Sequence, residues 1–168
     1  MRPVTSAPRQ SPVLLVEVSG KPRPQDSAWI GKNGNFRPAA KGLTEWKNDI
    51  ARAAFVASHN QPDLTFARDD PVSVSIQFYY GRPTTHFRRV KGTPILKDDA
   101  PVAKTTVPDV DKLARAVLDG LVQGGVLPDD KQVSSLVAEK SWGHTDRVEI
   151  RIRKLNWTTT HAYVTTAA

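Results

Sequence analysis

Residues Val72 to Tyr79 read Val-Ser-Val-Ser-Ile-Gln-Phe-Tyr, so Val72, Val74, Ile76 and Phe78 alternate with Ser73, Ser75, Gln77 and Tyr79. A period of two sends successive side chains to opposite faces, which makes this segment a strand with one dry face and one wet face. The chain must therefore build a sheet covered on one side. Two other segments carry the helical period that could cover it. From Thr44 to about Ser58, Trp46, Ile50, Ala53, Ala54 and Ala57 recur at three- and four-residue steps, with Thr44 as a candidate cap and His59, Asn60 and Pro62 as a stop. From Asp109 to Gln123, with room for the first residue or two to lie outside the helix, Val110, Leu113, Ala114, Val117, Leu118, Leu121 and Val122 form an apolar side that Gly124-Gly125 ends. Val13 to Val18, Val133 to Glu139 and Arg147 to Leu155 are further strand candidates.

With 168 residues the chain has enough length for one domain with a real core. We expect a flexible leader over residues 1–11, a single domain over 12–155 and a short tail over 156–168. The chain has no cysteine, which removes disulfide scaffolds, thiolate metal sites and a cysteine nucleophile. No signal peptide is apparent, because Glu17 breaks the only apolar run near the start, and no stretch is long enough for a membrane helix. A soluble, cytoplasmic protein is expected.

The net charge is +7, which favours a polyanionic partner without naming one. Basic residues concentrate in two places. Residues 81–104, read as a long basic loop, hold Arg82, Arg88, Arg89, Lys91, Lys97 and Lys104 against Asp98 and Asp99. Near the start, Lys21, Arg23, Lys32 and Arg37 sit among prolines and glycines. Of these, Lys21, Arg23, Lys32, Arg37, Arg88, Arg89 and Lys91 are the candidate DNA contacts; solvated surface charge is the alternative.

The most chemically informative run is Pro108-Asp109-Val110-Asp111, followed after the second helix by Asp129-Asp130. Asp109 and Asp111 can converge if the first lies in an extended lead-in and the second at the helix start, where backbone donors favour negative charge. The Gly124-Gly125 turn permits the chain to return Asp129-Asp130 toward them. Clustered carboxylates repel unless compensated, and Mg²⁺ favours such oxygens together with water and phosphate. The competing reading is that these acids cap helices and polarise turns. Asp111, Arg115 and Asp119 share a helix face; Arg115 could balance the acids or meet a phosphate, and Asp119 looks structural.

The run from Asp109 through Lys112-Leu113-Ala114-Arg115-Ala116-Val117-Leu118-Asp119-Gly120-Leu121, continued by Gly125-Val126-Leu127-Pro128-Asp129-Asp130-Lys131-Gln132-Val133, resembles the RusA-type Holliday junction resolvases, small phage or prophage endonucleases. A looser likeness extends from Val13 to about Leu155. The resemblance implies an α/β (α+β) fold, a small mixed sheet packed with helices, in a homodimer that resolves four-way DNA junctions by paired, metal-dependent nicks. It puts Asp109, Asp111 and Asp130 at the essential acidic positions, as ligands of Mg²⁺ or Mn²⁺. Arg115 stands where the family usually has a catalytic lysine, and Lys112 where asparagine is common. Asp119, Asp129 and Lys112 are read as supporting the acidic positions. A nuclease of broader branched-DNA selectivity, or a noncatalytic DNA-binding or packaging accessory, are the alternatives. Compact histidine spacing and a P-loop are both lacking, so neither zinc nor a nucleotide cofactor is expected.

Overall fold

A computed structural model describes residues 11–25 and 41–155. Most of the expected leader, the whole expected tail and the candidate contacts Lys32 and Arg37 lie outside the described residues. The elements are β1 (Val13–Ser19), α1 (Leu43–His59), β2 (Val72–Gly81), β3 (Phe87–Val90), β4 (Thr93–Leu96), α2 (Val110–Gln123), β5 (Val133–Gly143) and β6 (Arg147–Lys154). This is the mixed α+β architecture expected, a small sheet packed against helices. The main sheet has the order β1-β6-β2-β5, antiparallel except for the parallel pair β2 and β5.

The alternation in β2 acts as the sequence pattern requires. Val74, Ile76 and Phe78 point into the core beside Leu14, Val16 and Val18 of β1 and Val148, Ile150 and Ile152 of β6, and Trp46, Ile50, Leu113, Val117 and Leu121 of the two helices cover them. Burying each large apolar side chain stabilises by roughly 1.5–3 kcal/mol. Exposed ion pairs contribute about 0–1 kcal/mol each, so this cluster is what holds the helices on the sheet.

The helices cross closely because small residues meet there. A Cβ on Gly120 would lie 2.7 Å from Ile50 Cγ2, and one on Gly124 would lie 2.5 Å from the Ala51 carbonyl oxygen. Gly125 then takes φ 73°, and Val126 N–H and Gly125 N–H donate to Leu121 and Val122 carbonyls at 3.1 and 3.0 Å. These two bonds stop α2 and reverse the chain.

Two expectations need correction. Thr44 does not cap α1; it lies inside the helix, and Gly42 at φ 79° precedes the first turn without a side-chain cap. Residues 81–104 are also not structureless. Phe87–Val90 and Thr93–Leu96 pair as a hairpin whose two turn residues, Lys91 and Gly92, both have positive φ, the geometry that matches strand twist in a two-residue turn. Beyond it, residues 102–104 lie along β5, with Trp142 N–H donating to Val102 O at 2.9 Å and Lys104 N–H to Lys140 O at 3.2 Å. The rest of the outer edge of β5 is open among the described residues and exposes Leu136 and Val137. No described helix is long and apolar enough to cross a membrane.

Candidate active site

Asp109 is the N-cap of α2, with extended backbone (φ −70°, ψ 141°), but its side chain makes no capping bond. The carboxylate is therefore not spent on the helix end, which was the competing reading for this residue. Instead its Oδ2 lies 3.0 Å from Lys112 Nζ. The Lys112 hydrogen bond, reinforced by the charges of Lys112 and Lys140, holds the Asp109 carboxyl below the ordinary carboxylate range. Asp111 follows in the first turn, exposed to solvent, and Arg115 is exposed one turn further on. The positive end of the helix favours both acids there.

Asp119 behaves differently. It accepts hydrogen bonds from Gln25 Nε2 at 2.7 Å and Lys47 Nζ at 3.4 Å. Gln25 N–H also donates to Lys112 O at 2.9 Å. Asp119 and the Lys112 carbonyl thus tie Gln25, at the end of the segment carrying Lys21 and Arg23, to both helices.

The chain reaches Asp109 through a segment gripped by two lysines. Lys104 is only 6% exposed, and its ammonium donates to Thr106 O at 3.1 Å, to Thr106 Oγ1 at 2.8 Å and to Val107 O. It also lies 4.7 Å from the Tyr80 ring centre and 5.1 Å from that of Trp142. Burial, followed by the charges of Lys140 and Lys21, lowers its pKa. Lys140, from β5, donates to Thr106 O at 2.7 Å and Pro108 O at 2.6 Å. The Val107–Pro108 peptide is cis.

Asp130 lies at the other end of α2. The helix has 14 residues, about 21 Å at 1.5 Å per residue. Strand β5 runs back alongside it: Asp130 precedes Val133 at the strand's start, whereas Lys140, which touches Pro108, lies near its end. Val133 to Lys140 alone spans roughly 23 Å at about 3.3 Å per residue. The Gly124-Gly125 turn reverses the chain as expected, but it does not bring Asp130 back to Asp109 within one chain.

A local device fixes the Asp129-Asp130 turn. Asp129 Oδ1 accepts from Lys131 N–H at 3.1 Å, and Gln132 Oε1 accepts from Asp129 N–H at 3.4 Å, a reciprocal cap. The Lys131 backbone and side-chain hydrogen bonds hold Asp129 below the ordinary carboxylate range. Gln132, buried at 6% exposure, donates through Nε2 to Ala67 O at 3.0 Å and Asp70 O at 3.2 Å. Asp129 is consumed by this cap, while Asp130 next to it is exposed.

The donors fit a hard divalent cation in kind: Asp109, Asp111 and Asp130 supply oxygens that no helix cap uses. Among the described residues, no three acidic or histidine side chains stand close enough to share an ion. Of the candidate DNA contacts, Lys21 is exposed and Arg23 half-buried over Gly42, while Arg88, Arg89 and Lys91 are exposed on the hairpin. Arg88 pairs with Asp98 at 3.7 Å, with both side chains well exposed.

Lys104, Lys140 and Gln132 are the contributors that sequence reasoning passed over. Lys104 stands in a basic stretch that reads as surface, and Lys140 falls just past the expected strand, Val133 to Glu139. Gln132 belongs to the Asp-Asp-x-Gln-Val run, and its fixed offset from Asp129 is the one signal that could have identified it as a cap.

No curated protein matches this chain. The family model described as endodeoxyribonuclease RusA matches residues 17–153, from β1 through β6 and across both acidic segments. Since that match covers most of the chain and every element that positions the acids, the protein belongs to the RusA endodeoxyribonuclease family.

Proposed function

We propose that the protein is a metal-dependent, structure-selective endodeoxyribonuclease that resolves four-way DNA junctions by paired symmetric nicks during recombination or repair. The observation that carries this reading is the pair Asp109 and Asp111 at the positive end of α2, uncommitted to capping and set among cations, in a chain of the RusA family. Asp109, Asp111 and Asp130 would hold Mg²⁺ or Mn²⁺. When bound, the cation supplies water activation and stabilises charge developing on the phosphodiester. Arg115, one turn beyond Asp111, meets the scissile phosphate; as a guanidinium it donates two parallel hydrogen bonds where a lysine would offer a point charge. Lys21, Arg23 and the hairpin cations Arg88, Arg89 and Lys91 hold flanking phosphates and carry no sequence information themselves.

The separation of Asp130 from Asp109 gives the homodimer a chemical role. Each centre takes Asp109 and Asp111 from one copy and Asp130 from the other. The open edge of β5 runs between the two positions. Antiparallel addition of a second β5 there brings the second copy's Asp130 toward the Asp109 end of the first. Two such centres related by a two-fold axis suit two symmetric nicks.

The test is to incubate the purified protein with end-labelled four-way junctions, flaps and linear duplex, each with Mg²⁺, Mn²⁺ or chelator, and to map the products. Metal-dependent paired nicks confined to four-way junctions support the reading. Equal cutting of flaps and junctions replaces it with a broader branched-DNA nuclease, and tight junction binding without cutting in either metal replaces it with a noncatalytic accessory.

A further inference from the structure

Lys104 is the only charged residue among the buried polar ones in the described chain, beside Ser73 and Gln132. A buried ammonium is costly unless its donors are met. Here all three find acceptors, on Thr106 O, Thr106 Oγ1 and Val107 O, and the Tyr80 and Trp142 rings lie close by. No carboxylate lies within ion-pair distance of Lys104 among the described residues. The group is thus placed to hold backbone, not to neutralise an acid. Lys140 Nζ grips the same stretch from the strand side, at Thr106 O and Pro108 O. The two ammonium groups together fix the carbonyls of Thr106, Val107 and Pro108, the three residues that deliver the chain to Asp109.

We propose that Lys104, seconded by Lys140, is a positioning residue of the acidic centre. It acts through the Thr106–Pro108 backbone to set the direction from which the Asp109 carboxylate approaches a cation, and it touches neither DNA nor metal. This rests on the nuclease reading above, whose ligands it orients. Lys140 also places positive charge near Asp109, which favours its carboxylate form.

The experiment compares the full-length wild type with Lys104→Met, Lys104→Arg and Lys140→Met. Three quantities are read: Mn²⁺ affinity without DNA by calorimetry, amide hydrogen exchange at Thr105 to Asp109, and junction affinity in chelator. Loss of a group that orients a metal ligand typically weakens binding by about 10- to 100-fold. Lys104→Met is therefore expected to weaken Mn²⁺ binding by about tenfold or more and to speed local exchange by a similar factor, with junction affinity unchanged within about twofold. Lys104→Arg, which keeps charge and donors, is expected to restore part of both. A residue that only stabilises the fold would lower the melting temperature and leave the Mn²⁺ affinity of the folded protein unmoved, and that result overturns the proposal. If Lys104→Met does not fold, Lys140→Met carries the same expectation, and unchanged affinity there overturns it equally. Wild-type protein that binds no Mn²⁺ and cuts no junction instead overturns the nuclease reading, and the positioning role falls with it.

Discussion

Lys112 Nζ and Asp109 Oδ2 lie 3.0 Å apart across the first turn of α2, so the ammonium occupies a face of the carboxylate that a cation would need. The Asp109 pKa is depressed, chiefly by this hydrogen bond. The pair therefore stabilises the fold at and above the ordinary carboxylate range, and that contribution is lost as pH falls through the depressed folded-state value. Lys112→Asn is expected to raise the Asp109 pKa in a carboxyl-detected NMR titration and to lower the Mn²⁺ concentration for half-maximal cleavage. An unmoved pKa would mean that other charges hold Asp109.

The crossing of α1 and α2 leaves no room at two glycines. Gly124→Ala sets a methyl 2.5 Å from the Ala51 carbonyl oxygen, which is backbone, whereas Gly120→Ala meets Ile50 Cγ2 at 2.7 Å and Cβ at 2.8 Å. Overpacking of this kind costs about 1–3 kcal/mol. Both variants should unfold at lower urea concentration than wild type, Gly124→Ala the more so because a carbonyl in a helix cannot turn aside. A wild-type midpoint for Gly124→Ala would show that the helices separate easily.

Gln132→Ala removes the bonds to Ala67 O and Asp70 O and the acceptor for Asp129 N–H. Leaving buried polar groups unpaired costs roughly 1–3 kcal/mol. Thermal unfolding should shift down, and junction cleavage should fall further than the folded fraction explains, since the turn that aims Asp130 is loosened. Cleavage that merely tracks the folded fraction would confine Gln132 to stability.

On the proposed reading the hairpin cations meet phosphates and read no bases. Replacing Arg88, Arg89 and Lys91 together by alanine should weaken junction binding similarly across different junction sequences. It should also flatten the dependence of log affinity on log salt by about one for each phosphate contact removed. Fluorescence anisotropy over a salt series measures this directly, and an unchanged slope would put the DNA path elsewhere.

The sheet and both helices were legible because their signals are periodic and long: strict alternation in β2, helical spacing in α1 and α2, and Gly124-Gly125 as a stop. The hairpin was not, since its four-residue strands are largely exposed and lack an alternating dry face. Its turn also puts Lys91, rather than asparagine or glycine, at positive φ. The acidic residues themselves could be named from sequence, but their placement could not. Whether Asp130 returns to Asp109 depends on how β5 lies, and Lys140 near the end of that strand, not Asp130 before its start, is the residue that reaches Pro108. Lys104 escaped notice because burial of a lysine has no local sequence mark.

Subunit complementation tests the central claim, a cleavage centre shared by Asp109 and Asp111 of one copy and Asp130 of another. Asp111→Asn and Asp130→Asn are each expected to be folded and inactive on a labelled four-way junction. When the two are mixed in equal amounts and allowed to exchange subunits, each heterodimer carries both lesions in one centre and none in the other. About a quarter of all centres then become intact, and metal-dependent nicking should return toward that fraction of wild type. A mixture that forms heterodimers yet stays inactive, beside a wild type that cuts, would contradict the shared centre.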